Sequence, residues 1–185
     1  MIVFSEASQA NTPVALGIAL DKATELSAVF VVPTTSGSSA VAAVKLAKQK
    51  GFSGRVVVVS HVWGMRSPGA NSLTDDNRAE LESAGVRIVT AAHALSGVER
   101  SISGKFGGVY PVEIMANTLR MLSQGVKVCV EISTMALDAG ALDFGSPVVA
   151  IGGTGRGLDT ACVITPGYSA SIFDTRLHEI LCKPY

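Results

Sequence analysis

The chain has 185 residues, 48% hydrophobic and only 5% aromatic, a length that suits a single domain over 1–185 with a core built from Val, Ala, Ile and Leu. Its 15 basic and 15 acidic residues cancel, and no block of either sign occurs, which argues against a nucleic-acid surface. The mean hydropathy is +0.39, yet no run approaches the ~18 apolar residues that a membrane span requires.

Read in chain order, the segments alternate. The start, Met1 to Glu6, lacks the basic residues that open a signal peptide. Pro13 to Leu26 carries apolar residues at helical spacing, with Thr12 as its expected N-cap. Ala28 to Val32 reads as a buried strand, and Ser39 to Lys50 as a helix. Between them lies Thr34-Thr35-Ser36-Gly37-Ser38-Ser39-Ala40. A strand that feeds a helix through hydroxyl residues and one glycine can cradle a phosphate. The hydroxyls donate, Gly37 lets backbone N–H groups converge, and the helix start adds partial positive charge. The alternative is a Ser-capped helix after a polar turn.

Arg55 to Ser60, with four consecutive valines, reads as a strand covered on both faces. A loop around His61, Trp63 and Met65 leads to an expected helix near 74–84, and Val86 to Thr90 is the next strand. Residues 91–110 show no clear period. Pro111 to Gln124 reads as a helix, Val126 to Val130 as a strand, Ser133 to Ala139 as a helix, and Pro147 to Ile151 as a strand. Gly152-Gly153-Thr154-Gly155-Arg156-Gly157 then runs straight into a strand at Ala161 to Ile164, and a tail from Ile172 to Cys182 closes the sheet edge. These elements define a three-layer α/β sandwich, mostly parallel, with antiparallel terminal strands. Ligands in such sheets sit beyond the carboxyl ends of the strands, where the hydroxyl loop, His61, His93 and the glycine loop can meet.

The glycine loop lacks the helix that a dinucleotide fingerprint requires. It reads either as a tight hairpin or as a flap whose Arg156 contacts an anion, with Asp159 and Thr160 available to sugar or ribityl hydroxyls. His61 and His93 end strands, where a neutral imidazole can hold a ligand or move a proton; a satisfied loop histidine is the alternative for each. No metal site is expected, because no Cys or Glu pattern at ligand spacing accompanies them. His178 falls in the tail and reads as structural. Glu131 and Asp138 read as solvated helix-end carboxylates, although Glu131 could reach the pocket. Trp63, Met65, Phe106 and Tyr110 could stack on a flat ring, cap the core or form a subunit contact. Walker A and a nucleophile elbow are both absent. Cys129, Cys162 and Cys182 point to buried free thiols in a reducing compartment, hence the cytoplasm. The apolar composition permits a homo-oligomer.

Thr34, Ser36, Gly37, Ser39 and Ala40 match the Thr-x-Ser-Gly-x-Ser-Ala loop of the pyruvate kinase C-terminal domain, which the chain resembles over most of residues 12–165. In that domain the loop holds a phosphate of a sugar bisphosphate. The second effector loop of the domain resembles Val148 to Asp159 here. Ser38 stands where pyruvate kinase often has a basic residue, and no counterpart of the catalytic barrel is present, so kinase activity is not implied. Leu95 to Arg100, Lys105 to Gly108, Met135 to Gly140 and Gly152 to Thr160 resemble a group of small prokaryotic proteins built on this domain alone. That resemblance implies bound FMN, and the hydroxyl loop is also similar to the phosphate loop of flavodoxins.

The resulting expectation is an FMN or other phosphorylated ligand held by Thr34, Thr35, Ser36, Gly37, Ser38, Ser39, His61, Lys105, Gly107, Gly108, Gly153, Thr154, Gly155, Arg156 and Asp159. His61, His93 and Arg100 are the candidate catalytic residues. A flavin-dependent enzyme, a non-catalytic sensor of a sugar phosphate, and a phosphatase-like or isomerase enzyme using His61 and His93 as acid and base remain open.

Overall fold

A computed structural model describes residues 1–155 and 157–185. Strands β1 (Ile2–Phe4), β2 (Val29–Thr34), β3 (Val56–Ser60), β4 (Arg87–Thr90), β5 (Val148–Gly152), β6 (Thr160–Thr165) and β7 (Arg176–Pro184) form one sheet. Its order is β1-β7-β6-β5-β2-β3-β4. Only β6 runs against the others: it is antiparallel to β5 and β7, while every other pairing is parallel.

Helices α1 (Thr12–Glu25), α2 (Ser38–Gln49) and α3 (Asp75–Ser83) lie on one face, and α5 (Pro111–Arg120) and α6 (Gln124–Asp138) on the other. A further helix, α4 (Gly97–Phe106), buries none of its own residues. Side chains alternate across a strand, so Phe30 and Val32 of β2 pack with Leu16, Leu20 and Ala40. Val31 between them packs with Val126, Cys129 and Val130. With helices on both faces, the central strands need an unbroken apolar run rather than alternation. That is why the valines of β3 are so readily legible. The layered α/β architecture expected from the sequence is the one observed.

Several element assignments are corrected. Residues 124–138 form one continuous helix, not the expected strand Val126–Val130 followed by a short helix. The β-branched run favours a strand locally, but 12 of the 15 residues of α6 are buried, including Val126, Cys129, Val130 and Ile132. Burial against the sheet overrides that modest propensity. The chain must also return from β4 to the parallel β5, which requires a crossover. The expected helix 111–124 is two helices broken near Leu122, with Ser123 capping the second by accepting from Val126 N at 3.0 Å. The segment 91–110 contains α4. The tail forms a 3-10 turn at Ser169–Asp174 before β7, and the unforeseen β1 pairs with that strand. Thr12 lies inside α1, and its Oγ1 instead accepts from Leu158 N at 2.9 Å.

All three cysteines are free and buried, and burial pushes the Cys182 thiol up to about 11. Among the described residues no helix is long and apolar enough to cross a membrane.

Candidate functional site: a hydroxyl-lipped cavity at the strand ends

The chain runs from β2 outward to β3 and β4, then returns to place β5 on the other side of β2. Such a reversal leaves a crevice at the carboxyl ends of the two strands that flank it. A cavity of about 270 Å³ opens there. Pro33, Thr34, Thr35, Ser36, Ser38 and Ser39 form one lip and Gly153, Gly155, Gly157 and Leu158 the other. His61 and His93 line it together with Val59, Ser60, Val128, Ile132 and Met135.

The hydroxyl loop divides its labour. Thr34 is buried, and its Oγ1 accepts from Gly37 N at 3.0 Å and lies 3.1 Å from Ser39 Oγ. Ser39 Oγ in turn donates to Pro33 O at 3.1 Å. These two hydroxyls brace the turn. Ser36 and Ser38 hydroxyls meet only each other, at 3.2 Å, on the exposed side. Gly37 takes φ +110°, and α2 makes its first helical bond from Val41 N to Gly37 O. The N–H groups of Ser38, Ser39 and Ala40 precede that bond and find no acceptor among the described residues. Three free N–H groups at a helix start, beside the mutually paired hydroxyls of Ser36 and Ser38, form an uncharged array of donors of the kind that suits an anion. The loop is clipped from outside by α3, whose cap Thr74 N and side chain Asn77 Nδ2 donate to Ser36 O at 3.1 and 3.0 Å.

The opposite lip is locked by Asp159. Its carboxylate is buried and accepts from Thr154 Oγ1 at 3.0 Å and Thr160 Oγ1 at 2.9 Å, while Asp159 N donates to Gly152 O. Burial raises its proton affinity above that of an ordinary carboxylate, opposed by those hydroxyl bonds. Asp159, Thr154 and Thr160 therefore satisfy one another and hold the loop. Gly153 is needed because a Cβ there would sit 1.9 Å from Gly157 O, so the two arms of the loop approach backbone to backbone.

Beneath the hydroxyl lip lies a polar chain. Thr35 Oγ1 is 3.3 Å from His61 Nε2, and the His61 and His93 rings meet edge to face with centroids 5.3 Å apart. His93 Nδ1 is 4.0 Å from Glu131 Oε2. Glu131 is buried, not solvated: it accepts from Lys127 Nζ at 2.5 Å and from Leu95 N at 3.0 Å. Lys127 is buried beside it, and burial pushes its proton affinity below the usual lysine range while the Glu131 carboxylate opposes that change. Burial also lowers both imidazoles: for His61 the neighbouring His93 and Arg66 add to it, and for His93 the Glu131 carboxylate opposes it.

These lowered values have a consequence for acid stability. The unfolded chain takes up protons near the ordinary histidine value of 6.5, whereas the folded protein refuses them until lower pH. This stabilising contribution is complete above that value and is lost as pH falls toward the lowered native values. The thermal midpoint should drop between about pH 7 and 5, and His61→Gln combined with His93→Gln should flatten the drop.

The cavity thus brings together Thr34, Thr35, Ser36, Ser38, Ser39, His61, His93, Gly153 and Gly155. Lys105, Gly107 and Gly108 are not among its lining residues; they sit at the exposed end of α4. Arg100, also on α4, acts on His93 only through its charge. Trp63 and Phe106 are largely exposed and leave the apolar lining to α6 and β3. Arg156 lies outside the described residues. His178 pairs with Thr165 Oγ1 at 2.8 Å in the β6–β7 ribbon, away from the cavity lining.

Sequence reasoning missed the contribution of α6: Gln124, Val128, Ile132 and Met135 line the cavity from one face of that helix. Their near-four-residue spacing, and the Lys127–Glu131 pair four apart, were the available signals.

The site and topology define a layered α/β domain with a crevice at its topological reversal. Over residues 16–164 the chain matches the family described as pyruvate kinase, alpha/beta domain, and it belongs to that family.

Proposed function

We propose that the cavity binds a phosphorylated small molecule, with FMN as the leading candidate, the phosphate seated on Thr35 to Ala40. The observation that carries this reading is the set of free N–H groups of Ser38, Ser39 and Ala40 beside the exposed hydroxyls of Ser36 and Ser38, which meet only each other. An array of neutral donors at a helix start suits a dianion without a lysine or arginine. Val59, Val128, Ile132 and Met135 supply an apolar wall for the rest of the ligand. The volume of about 270 Å³ sits at the small end of the ~300–1,000 Å³ usual for ligand pockets, so an isoalloxazine ring would extend through the mouth. That same volume favours a second reading, a short sugar phosphate sensed without chemistry.

Titration separates the two. An FMN complex should be yellow, release flavin on denaturation and compete with inorganic phosphate. A protein stabilised by sugar phosphates and indifferent to FMN transfers the weight to the second reading. Ser36→Ala and Ser38→Ala should each weaken a phosphate ligand by about 1.5–3 kcal/mol, the scale of a hydrogen bond to a charged group. Unchanged affinity in both variants would refute the loop as the phosphate seat. A chain of this composition and cysteine usage fits a cytoplasmic protein.

A further inference from the structure

We infer that His93 and His61 form a proton-transfer pair, base and acid respectively, acting on a short phosphorylated hydroxycarbonyl compound held by the hydroxyl loop. This rests on the phosphate reading of that loop and goes beyond simple binding.

The pair is marked by its unpartnered atoms. Four buried side-chain polar atoms find no partner among the described residues: His61 Nδ1, His93 Nε2, and the hydroxyls of Ser133 and Thr134. The two hydroxyls belong to the middle of α6 and do not line the cavity; both histidines do. A buried nitrogen without a partner costs about 1–3 kcal/mol, a cost that a ligand group can relieve.

Their surroundings give the two nitrogens opposite character. On His93, Nδ1 faces the Glu131 carboxylate at 4.0 Å, which favours the tautomer with the proton on Nδ1 and leaves Nε2 with its lone pair. On His61, Nε2 faces the Thr35 hydroxyl at 3.3 Å; with that nitrogen accepting, Nδ1 carries the proton. With these two tautomers one orphaned nitrogen accepts and the other donates. The rings touch, with centroids 5.3 Å apart, and both residues line the same cavity.

Thr35 joins this pair directly to the phosphate cradle. The reacting atoms therefore lie only a few bonds from the phosphorus, which selects a short ligand and agrees with the modest cavity. The apolar wall from Val128, Ile132 and Met135 keeps bulk water from the transferred proton.

The step needs no co-reactant. His93 Nε2 takes the proton from the carbon beside the carbonyl, and that C–H electron pair becomes the carbon–carbon double bond. The carbonyl π electrons take the proton from His61 Nδ1, and a neutral enediol results. When His93 returns its proton to either carbon, the hydroxyl on the other carbon gives its proton back to His61 Nδ1, left anionic by the first transfer, and the substrate or its isomer results with nothing oxidised overall. As His93 becomes imidazolium, Glu131 stabilises it, and Lys127 with Leu95 N fixes the carboxylate. Glu131 and Lys127 are positioning residues. The charged groups that act on the pair are Glu131, Lys127, Arg100 and Arg66.

The experiment follows carbon-bound hydrogen exchange of dihydroxyacetone phosphate and glyceraldehyde phosphate in deuterium oxide by NMR. Calorimetry with inorganic phosphate is run on the same samples. Deuterium should enter beside the carbonyl faster than in buffer, and His93→Gln should slow it by about 10²–10⁴-fold, the usual worth of a general base. That variant should still bind phosphate and keep a native circular dichroism spectrum. Exchange should fall as pH drops and His93 takes up a proton. Glu131→Gln should move that acid limb to lower pH, because the imidazolium loses its carboxylate; a merely structural role would leave the limb in place. Phosphate binding without exchange of either compound overturns the proton-transfer pair and leaves the cradle standing. Absence of phosphate binding overturns both.

Discussion

Replacing Lys127 by Met, with Glu131 left in place, is expected to cost about 3–5 kcal/mol, measured as the loss in unfolding free energy by urea titration. The magnitude follows from what remains. Glu131 is buried in α6, and its carboxylate is held by Lys127 Nζ and Leu95 N. Without the ammonium, a buried charge keeps one N–H donor and must either stay ionised in an apolar core or take up a proton. The double replacement Lys127→Met with Glu131→Leu removes both charges and should recover much of that loss. It should still fall short of the native protein, because Leu95 N then loses its acceptor, at about 1–3 kcal/mol. A single replacement costing under about 1 kcal/mol would mean that the pair is screened like a surface ion pair. The same variants also report on His93. Lys127 lowers its proton affinity and Glu131 raises it, so Lys127→Met and Glu131→Gln should move its titration in opposite directions.

That polar group shows where a sequence reading runs out. The strands β2, β3 and β5 are legible because helices cover both of their faces, so burial writes itself as an unbroken run of valines. The hydroxyl loop is legible because its residue types are chemically unusual between a strand and a helix. In 124–138 the two signals conflict. Val126, Val128, Val130 and Ile132 have strand propensity, but the helix is decided by a face that must bury against the sheet and by the crossover into β5. With 126–130 read as a strand, Lys127 and Glu131 fall on one face but without the turn-to-turn contact that pairs them, and Glu131 looks solvated. A single wrong element therefore conceals the only buried ion pair among the described residues and its approach to His93. The division of the hydroxyls into braces and free donors was equally out of reach. Thr34 and Ser39 differ from Ser36 and Ser38 only in where the turn directs them, a property of coordinates and not of residue type. The same holds for Asp159, which composition offers as a ligand contact and the fold consumes as a lock.

Gly37→Ala should be the most damaging single change in the cradle, lowering both stability and phosphate affinity. The residue sits at φ +110°, where an L side chain is strained by about 1–3 kcal/mol. A Cβ built there would lie 2.3 Å from Asn77 Cβ and 2.8 Å from Leu73 Cδ1. Asn77 Cβ is anchored to the α3 backbone and cannot swing aside, so the helix itself must move, adding about 1–3 kcal/mol of overpacking. That movement pulls on Thr74 and Asn77, the two residues that clip Ser36 O, and so opens the turn that aligns the free N–H groups. The two contributions can be separated. Asn77→Gly introduced alongside Gly37→Ala removes the collision at Asn77 but also the Asn77 clip on Ser36 O, and it leaves the Leu73 contact and the unfavourable φ, so the packing share at Asn77 is read from the coupling between the two changes. Thermal denaturation and phosphate calorimetry on the four proteins of this cycle measure the coupling directly. If Gly37→Ala left both quantities unchanged, the turn would be adopting another backbone conformation, and the donors of Ser38, Ser39 and Ala40 would have no fixed direction in which to receive an anion.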